Sequence, residues 1–246
     1  MKYAYLLPLA AGCALGGCVD NQASVDIDRV LFVSQMSMCD ADPANTLQRS
    51  HGLLDVGIVA GANTDGYVAA PVVRNNMPLR ATSGMIDLDA VTLQSFDIEL
   101  RPDATLSGAL PLAQRIFNVP VGGARIEAGG TGLNAVFVEI VPAQIARLLA
   151  AAVQPGAQTT PLLVVHMRPV VARADGSLLG GGWYDYPVEI CNFCLAGGPP
   201  VACPQTAQLR TTVLETGCRV QQDDPVTCCT KQNVLLCGAS VPQTTM

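Results

Sequence analysis

Basic charge, histidine and long apolar runs are all scarce in this chain. Of 246 residues only 14 are Lys or Arg, and Lys2 and Lys231 are the only lysines, against 20 Asp and Glu. A formal charge of −6 with no basic cluster leaves no electrostatic footprint for nucleic acid and no polybasic patch for an anionic membrane. Histidine, the commonest general base, occurs twice, at His51 in an Arg-Ser-His-Gly loop and at His166 inside an apolar-flanked run. There is no Gly-x-Ser-x-Gly nucleophile elbow, and Ser83-Gly84 reads as a turn. Gly130-x-Gly132-x-x-Ala135 precedes a strand pattern where a dinucleotide fingerprint requires a helix. No apolar run reaches the roughly 20 residues a membrane-spanning helix needs. These gaps argue against nucleic-acid binding, Rossmann chemistry and serine hydrolysis, and no catalytic residue, metal site or cofactor motif is assigned.

What is present begins with an apolar leader. Residues 1–17, MKYAYLLPLAAGCALGG, carry one lysine and then a short apolar stretch interrupted by glycine, the pattern of a signal peptide. It ends in Leu15-Gly16-Gly17-Cys18, with Ala10-Ala11-Gly12-Cys13 as a weaker competitor that lacks the leucine. The first of these resembles the lipobox of bacterial lipoproteins. That resemblance implies cleavage before Cys18, a thioether-linked diacylglycerol and an N-acyl chain on that residue, and hence a partnership with the lipid bilayer. Several acyl chains hold a protein stably, whereas one is marginal. Val19 stands where an aspartate commonly retains such proteins in the inner membrane, so the implied address is the outer membrane. The expected order is signal peptide 1–17, lipidated tether 18–24, a β domain over 25–190 and a cysteine-rich tail over 191–246.

The β expectation rests on period two. Val25 to Val33, Tyr67 to Val73, Ala135 to Val141, Leu162 to Val171 and Tyr184 to Ile190 are strand-like runs separated by Gly, Pro and Asn. An all-β, antiparallel sandwich, Ig-like or similar, is the predicted fold. Val91 and Leu93 lie on odd positions while Phe96, Ile98 and Leu100 lie on even ones, which predicts a bulge or break at Gln94-Ser95. A single short helix is expected between Pro142 and Val153, with Ile145, Leu148, Leu149 and Ala152 on one face.

Cysteine gives the clearest arithmetic. With Cys13 removed and Cys18 acylated, Cys39, Cys191, Cys194, Cys203, Cys218, Cys228, Cys229 and Cys237 remain, an even set suited to an oxidising compartment. Seven of them lie in the tail, so Cys39 is expected to staple tail to body, and the adjacent Cys228 and Cys229 to take different partners. Two rival readings attach to Cys191-Asn192-Phe193-Cys194: half of a zinc site with Cys228-Cys229, or a redox-active pair. The absence of a tail histidine and of a βαβ context favours a structural disulfide. The run GGGWYDYPVEICNFCL with QDDPVTCC is similar to uncharacterised cysteine-rich lipoproteins of myxobacterial type, a resemblance that covers residues 180–237 and implies no activity.

Candidate contact residues are Trp183, Tyr184 and Tyr186, the one aromatic cluster. Asp40, Asp42 and Asn45, and Asp223 with Asp224, offer too few oxygens for calcium and read as solvated turns. Asp97 and Glu99 share one face of a strand, about 7 Å apart, the one carboxylate pair a hydrolase could use. The leading expectation is a non-enzymatic binding, adhesion or structural module of the outer envelope, with a polysaccharide or another envelope protein as partner. An accessory subunit of an envelope complex and a carboxylate-dependent hydrolase are the alternatives.

Overall fold

The computed structural model describes residues 24–33, 40–62, 65–79, 89–130, 132–156, 160–203, 222–232 and 234–238. The leader, the lipobox, Cys39, Ser83 and Cys218 lie outside them. Among the described residues the chain is all-β with two short helices, and none is long and apolar enough to cross a membrane.

The central element is a six-stranded sheet in the order β2 (Gly52–Asp55), β11 (Tyr184–Cys191), β9 (Leu162–Ala172), β5 (Val91–Pro102), β6 (Ile116–Ile126), with β10 (Leu178–Gly180) also paired to β9. Alternation decides its faces. Phe96, Ile98 and Leu100 of β5, Leu163, Val165 and Met167 of β9, and Tyr186, Val188 and Ile190 of β11 all point into one core. Burying each such side chain stabilises the fold by roughly 1.5–3 kcal/mol. The register of β5 against both neighbours shifts between Leu93 and Ser95, which turns the strand's faces over at the point where the apolar phase changes. At the sheet's edge β6 carries Pro120, Gly122 and Gly123, residues that suit an outer strand and weaken further pairing.

The other side of the core is made by two small sheets. One is β1 (Val25–Val30), β4 (Pro71–Asn75) and β7 (Leu133–Ala135), and the second is β3 (Tyr67–Ala69) with β8 (Val138–Val141). The runs expected as single strands, Tyr67 to Val73 and Ala135 to Val141, are therefore each broken in two. Pro71 opens β4, and β7 pairs with β4 while β8 pairs with β3, so both runs change sheet at one corner, as sandwich strands do. Helix α2 (Ala143–Ala150) packs on this core, but with a different stripe from the expected one: Ile145, Ala146 and Leu149 are buried, together with Val153 beyond its end, and Leu148 is 38% exposed.

Two features depart from the antiparallel, one-helix expectation. Strand β2 runs parallel to β11, and Asp55 at its end leads straight into α1 (Val56–Ala62). The sequence of α1, VGIVAGA, is rich in glycine and β-branched residues and is a poor helix former. Tertiary contacts hold it instead. Gly57 and Gly61 lie one turn apart, the first against Asn192 and Phe193, the second against Leu235 of the tail. The tail is a small sheet of its own, β12 (Val201–Ala202), β13 (Thr227–Lys231) and β14 (Val234–Gly238), with β12 parallel to β13. Ile58 of α1 joins Leu195, Leu235, Cys228 and Cys237 in a second, smaller core.

Candidate functional site

Three disulfides are described: Cys191–Cys194, Cys203–Cys229 and Cys228–Cys237. Cys228 and Cys237 stand directly opposite each other across β13 and β14, while Cys229, facing the other way, reaches Cys203. The expected Cys39 staple falls outside the described residues.

Side-chain hydrogen bonds attach the tail to the body at two points. Asp55 is fully buried, and its carboxylate caps α1 by accepting from the Gly57 and Ile58 N–H groups at 3.1 and 3.2 Å. The same carboxylate accepts from the Phe193 and Leu195 N–H groups at 2.8 and 2.9 Å, which fixes the Cys191–Cys194 loop. Burial pushes its pKa above the ordinary aspartate value, and the four N–H donors oppose that shift. At this first point Asn192 also donates from Nδ2 to the Val153 carbonyl at 2.7 Å, just past α2.

Asp223 makes the second attachment. It sits in the left-handed region at φ 68°, which Asp tolerates better than most side chains. Its carboxylate accepts from the Leu53 N–H at 2.9 Å and from the Tyr67 hydroxyl, and pairs with Arg49 at 3.0 Å. Next to it Gln222 uses both ends of its amide on the backbone of Val68. The reading of Asp223 as a solvated turn carboxylate is thus corrected: it is half-buried with its carboxylate fully engaged, and desolvation raises its pKa against the pull of Arg49 and its hydrogen bonds. By contrast Asp40, Asp42 and Asn45 each accept from a nearby backbone N–H in exposed turns.

The aromatic cluster does not form one surface. Tyr186 is fully buried, with its hydroxyl 3.0 Å from that of Tyr67, and desolvation raises its pKa. Tyr184 lies on the same face of β11 and is half-buried. Trp183 follows the opposite alternation and is 46% exposed. Its indole stacks on the His166 ring, with centroids 4.2 Å apart and planes within 9°, and the Arg168 guanidinium carbon lies 4.6 Å from its centroid.

Around Trp183 the outer face of the large sheet presents two rungs of side chains, polar but for Ile116. One runs Asn118, Asp97, Arg168, and the next Ile116, Glu99, His166, Asp185. Asp97 accepts from Arg168 Nε at 3.0 Å and from Asn118 at 2.9 Å. Glu99 accepts from Arg101 at 2.8 Å, which lowers its pKa. Asp185 pairs with the ring nitrogen of His166. The two carboxylates a hydrolase would need are therefore each engaged by an arginine on a sheet face. His51 is an exposed loop residue beside Ser50.

Among the described residues one cluster has metal-ligand composition: a carboxylate oxygen of Asp55 and the sulfurs of Cys191 and Cys194 lie within 4.8 Å of one another. Zinc needs thiolates. Here the two sulfurs are bonded to each other and the Asp55 oxygens already accept four N–H groups, so the triad does not fit a metal in this oxidised form. The fold and surface together define an all-β protein with a disulfide-bonded tail and an aromatic and ionic sheet face. No family model, curated protein or solved structure matches the chain.

Proposed function

We propose that this chain is a lipid-anchored, non-enzymatic binding module of the outer envelope, held by acyl chains on Cys18 and making contact through the sheet face around Trp183. The observation that carries the contact surface is the support of Trp183. A half-exposed indole would lose its position if it stood alone, but this one is stacked on His166 and flanked by Arg168, whose own position is fixed by Asp97. The result is a rigid apolar plate surrounded by hydrogen-bonding groups. Asp97 is matched by Arg168 and Glu99 by Arg101, so the face has little to offer a strongly charged partner and suits a ring-stacking one with many hydroxyls. A neutral polysaccharide of the envelope is the partner this chemistry favours.

The same pairing argues against the hydrolase. General acid and base work needs one carboxylate held protonated and another free, and Asp97 and Glu99 are both matched to guanidinium groups. The lipobox and the even cysteine set support the address.

The experiment is a pull-down of isolated envelope polysaccharides with the lipidated protein and with Trp183→Ala. Retention by the native protein, and its loss in the variant with an unchanged melting temperature, supports the reading. Equal retention by both overturns the contact surface. Turnover of the polymer that disappears in Asp97→Asn or Glu99→Gln overturns the non-enzymatic part.

A further inference from the structure

The three described disulfides differ in access. Cys228 and Cys237 are buried in the tail's small core, Cys229 is buried on the opposite face of β13, and Cys203 is half-buried. Cys191 is buried as well, at the end of β11, but its partner Cys194 is exposed. An incoming thiolate must approach a disulfide along the S–S axis and reach one sulfur. Among the described bridges, Cys194 is the one exposed cysteine and so offers the side for that approach.

The loop around this pair is built to keep its shape without the covalent bond. Asp55 accepts from the N–H groups of Phe193 and Leu195, on either side of Cys194. Asn192 is buried and tied to the Val153 carbonyl, and its own carbonyl accepts from Gly156. Phe193 sits in the left-handed region at φ 61°, a conformation the rest of the loop must impose. Two thiols released here would stay close together, and a preorganised pair closes again at high effective concentration. Beside both sulfurs stands the carboxylate of Asp55, within 4.8 Å and shielded from water.

We infer that Cys191–Cys194 is a thiol–disulfide exchange centre, with Cys194 the attacked sulfur and Cys191 the buried resolving one, serving a partner dithiol. The step balances as follows. A partner thiolate attacks Cys194 Sγ, a mixed disulfide forms, and the Cys191–Cys194 bond breaks with Cys191 leaving as the thiolate, which takes up a proton. The partner's second thiolate then attacks its own sulfur in the mixed disulfide and expels Cys194 as a thiolate, protonated by water. The partner is oxidised by two electrons to its disulfide, and Cys191 and Cys194 are reduced to thiols. In the reverse direction Asp55 accepts the Cys191 proton, so that the buried sulfur can attack the mixed disulfide at Cys194 and close the ring.

The test uses the full-length lipidated protein and dithiothreitol as the partner dithiol. After short exposure, the reaction is quenched with acid, thiols are alkylated and the peptides are read by mass spectrometry. Cys191 and Cys194 should be labelled together, at least about tenfold faster than Cys203, Cys228, Cys229 or Cys237. Simultaneous opening of all bridges, or opening of Cys203–Cys229 or Cys228–Cys237 first, overturns the proposal with no variant required. Asp55→Asn tests the proton acceptor. Ring closure from a preformed mixed disulfide on Cys194 should slow on the order of 100-fold, and by far more than the first attack on the oxidised protein slows. Unchanged closure, or equal slowing of both steps, removes Asp55 from the chemistry.

Discussion

The hydroxyl of Tyr67 lies 2.9 Å from Oδ2 of Asp223, a residue 156 positions further along the chain. This bond joins β3, in the body, to the segment that leads into β13 of the tail. Tyr67 is buried and Asp223 half-buried, and each is tied further to the body: Tyr67 to the hydroxyl of Tyr186, and Asp223 to Arg49 and the Leu53 N–H. A hydrogen bond to a buried charged group is worth more than an ordinary one, and removing a partner leaves desolvated oxygen behind. The tail is thus attached by a polar lock as well as by disulfides.

Replacing Tyr67 with Phe tests that lock at constant volume. It takes one donor from Asp223 and leaves the Tyr186 hydroxyl without its phenolic neighbour. The expected cost is about 1–3 kcal/mol, read as a lower midpoint in urea denaturation with an unchanged slope. Limited proteolysis should also cut the tail earlier than in the parent. An unchanged midpoint would show that the hydroxyl network carries no net stability.

The same lock predicts a direction for pH. Burial raises the Asp223 pKa above 3.8 in the folded protein, so the native state binds the proton more tightly than the unfolded chain does. This contribution is fully present below the unfolded value and is lost as pH rises through the folded one. Relative to Asp223→Asn, which does not titrate, the native protein should gain stability as pH is lowered from neutrality to just below 4. Denaturation series on the two proteins at matched pH give the difference directly. A difference that falls on acidification would mean that the Arg49 pair outweighs desolvation.

Helix α1 separates propensity from packing. Gly→Ala inside a helix ordinarily gains about 1 kcal/mol. At Gly57 the new Cβ would stand 2.3 Å from Asn192 Oδ1 and 3.0 Å from the Phe193 ring, in the loop that Asp55 fixes. At Gly61 it meets the Leu235 side chain at 2.7 Å, the movable end of a leucine. Gly57→Ala should therefore destabilise by about 1–3 kcal/mol, while Gly61→Ala should lie near neutral, as read from thermal melting. Equal effects at the two sites would contradict the close approach at Gly57.

Much of this architecture was legible as period two. The faces of β5, β9 and β11 follow their alternation, and the phase change between Leu93 and Phe96 marked the register shift. What failed was local sequence read without its partners. Helix α1 has glycine and β-branched residues where a helix former is expected, because Asp55 and the tail supply its stability. The sequence locates helix α2 but not its buried stripe, since Leu148 and Leu149 are equally apolar and only packing selects Leu149. The division of Trp183 from Tyr186 was available in the sequence: residues three apart in a strand point to opposite faces, and grouping the aromatics by proximity overrode that rule. The Asp223 lock carries no local signal, because its partners Arg49, Leu53 and Tyr67 are distant in the chain.

We propose an acyl-anchored, disulfide-bonded envelope module, and mass spectrometry of the protein isolated from its native envelope tests that proposal. Six of the eight cysteines that follow Cys18 pair among themselves, so the account expects the remaining two, Cys39 and Cys218, to be joined to each other. The predicted result is an N-terminal peptide that begins at an acylated Cys18, with a Cys39–Cys218 cross-linked peptide, and no thiol labelled without reductant outside Cys191 and Cys194. An unmodified Cys18, or free thiols at Cys39 and Cys218, would contradict it.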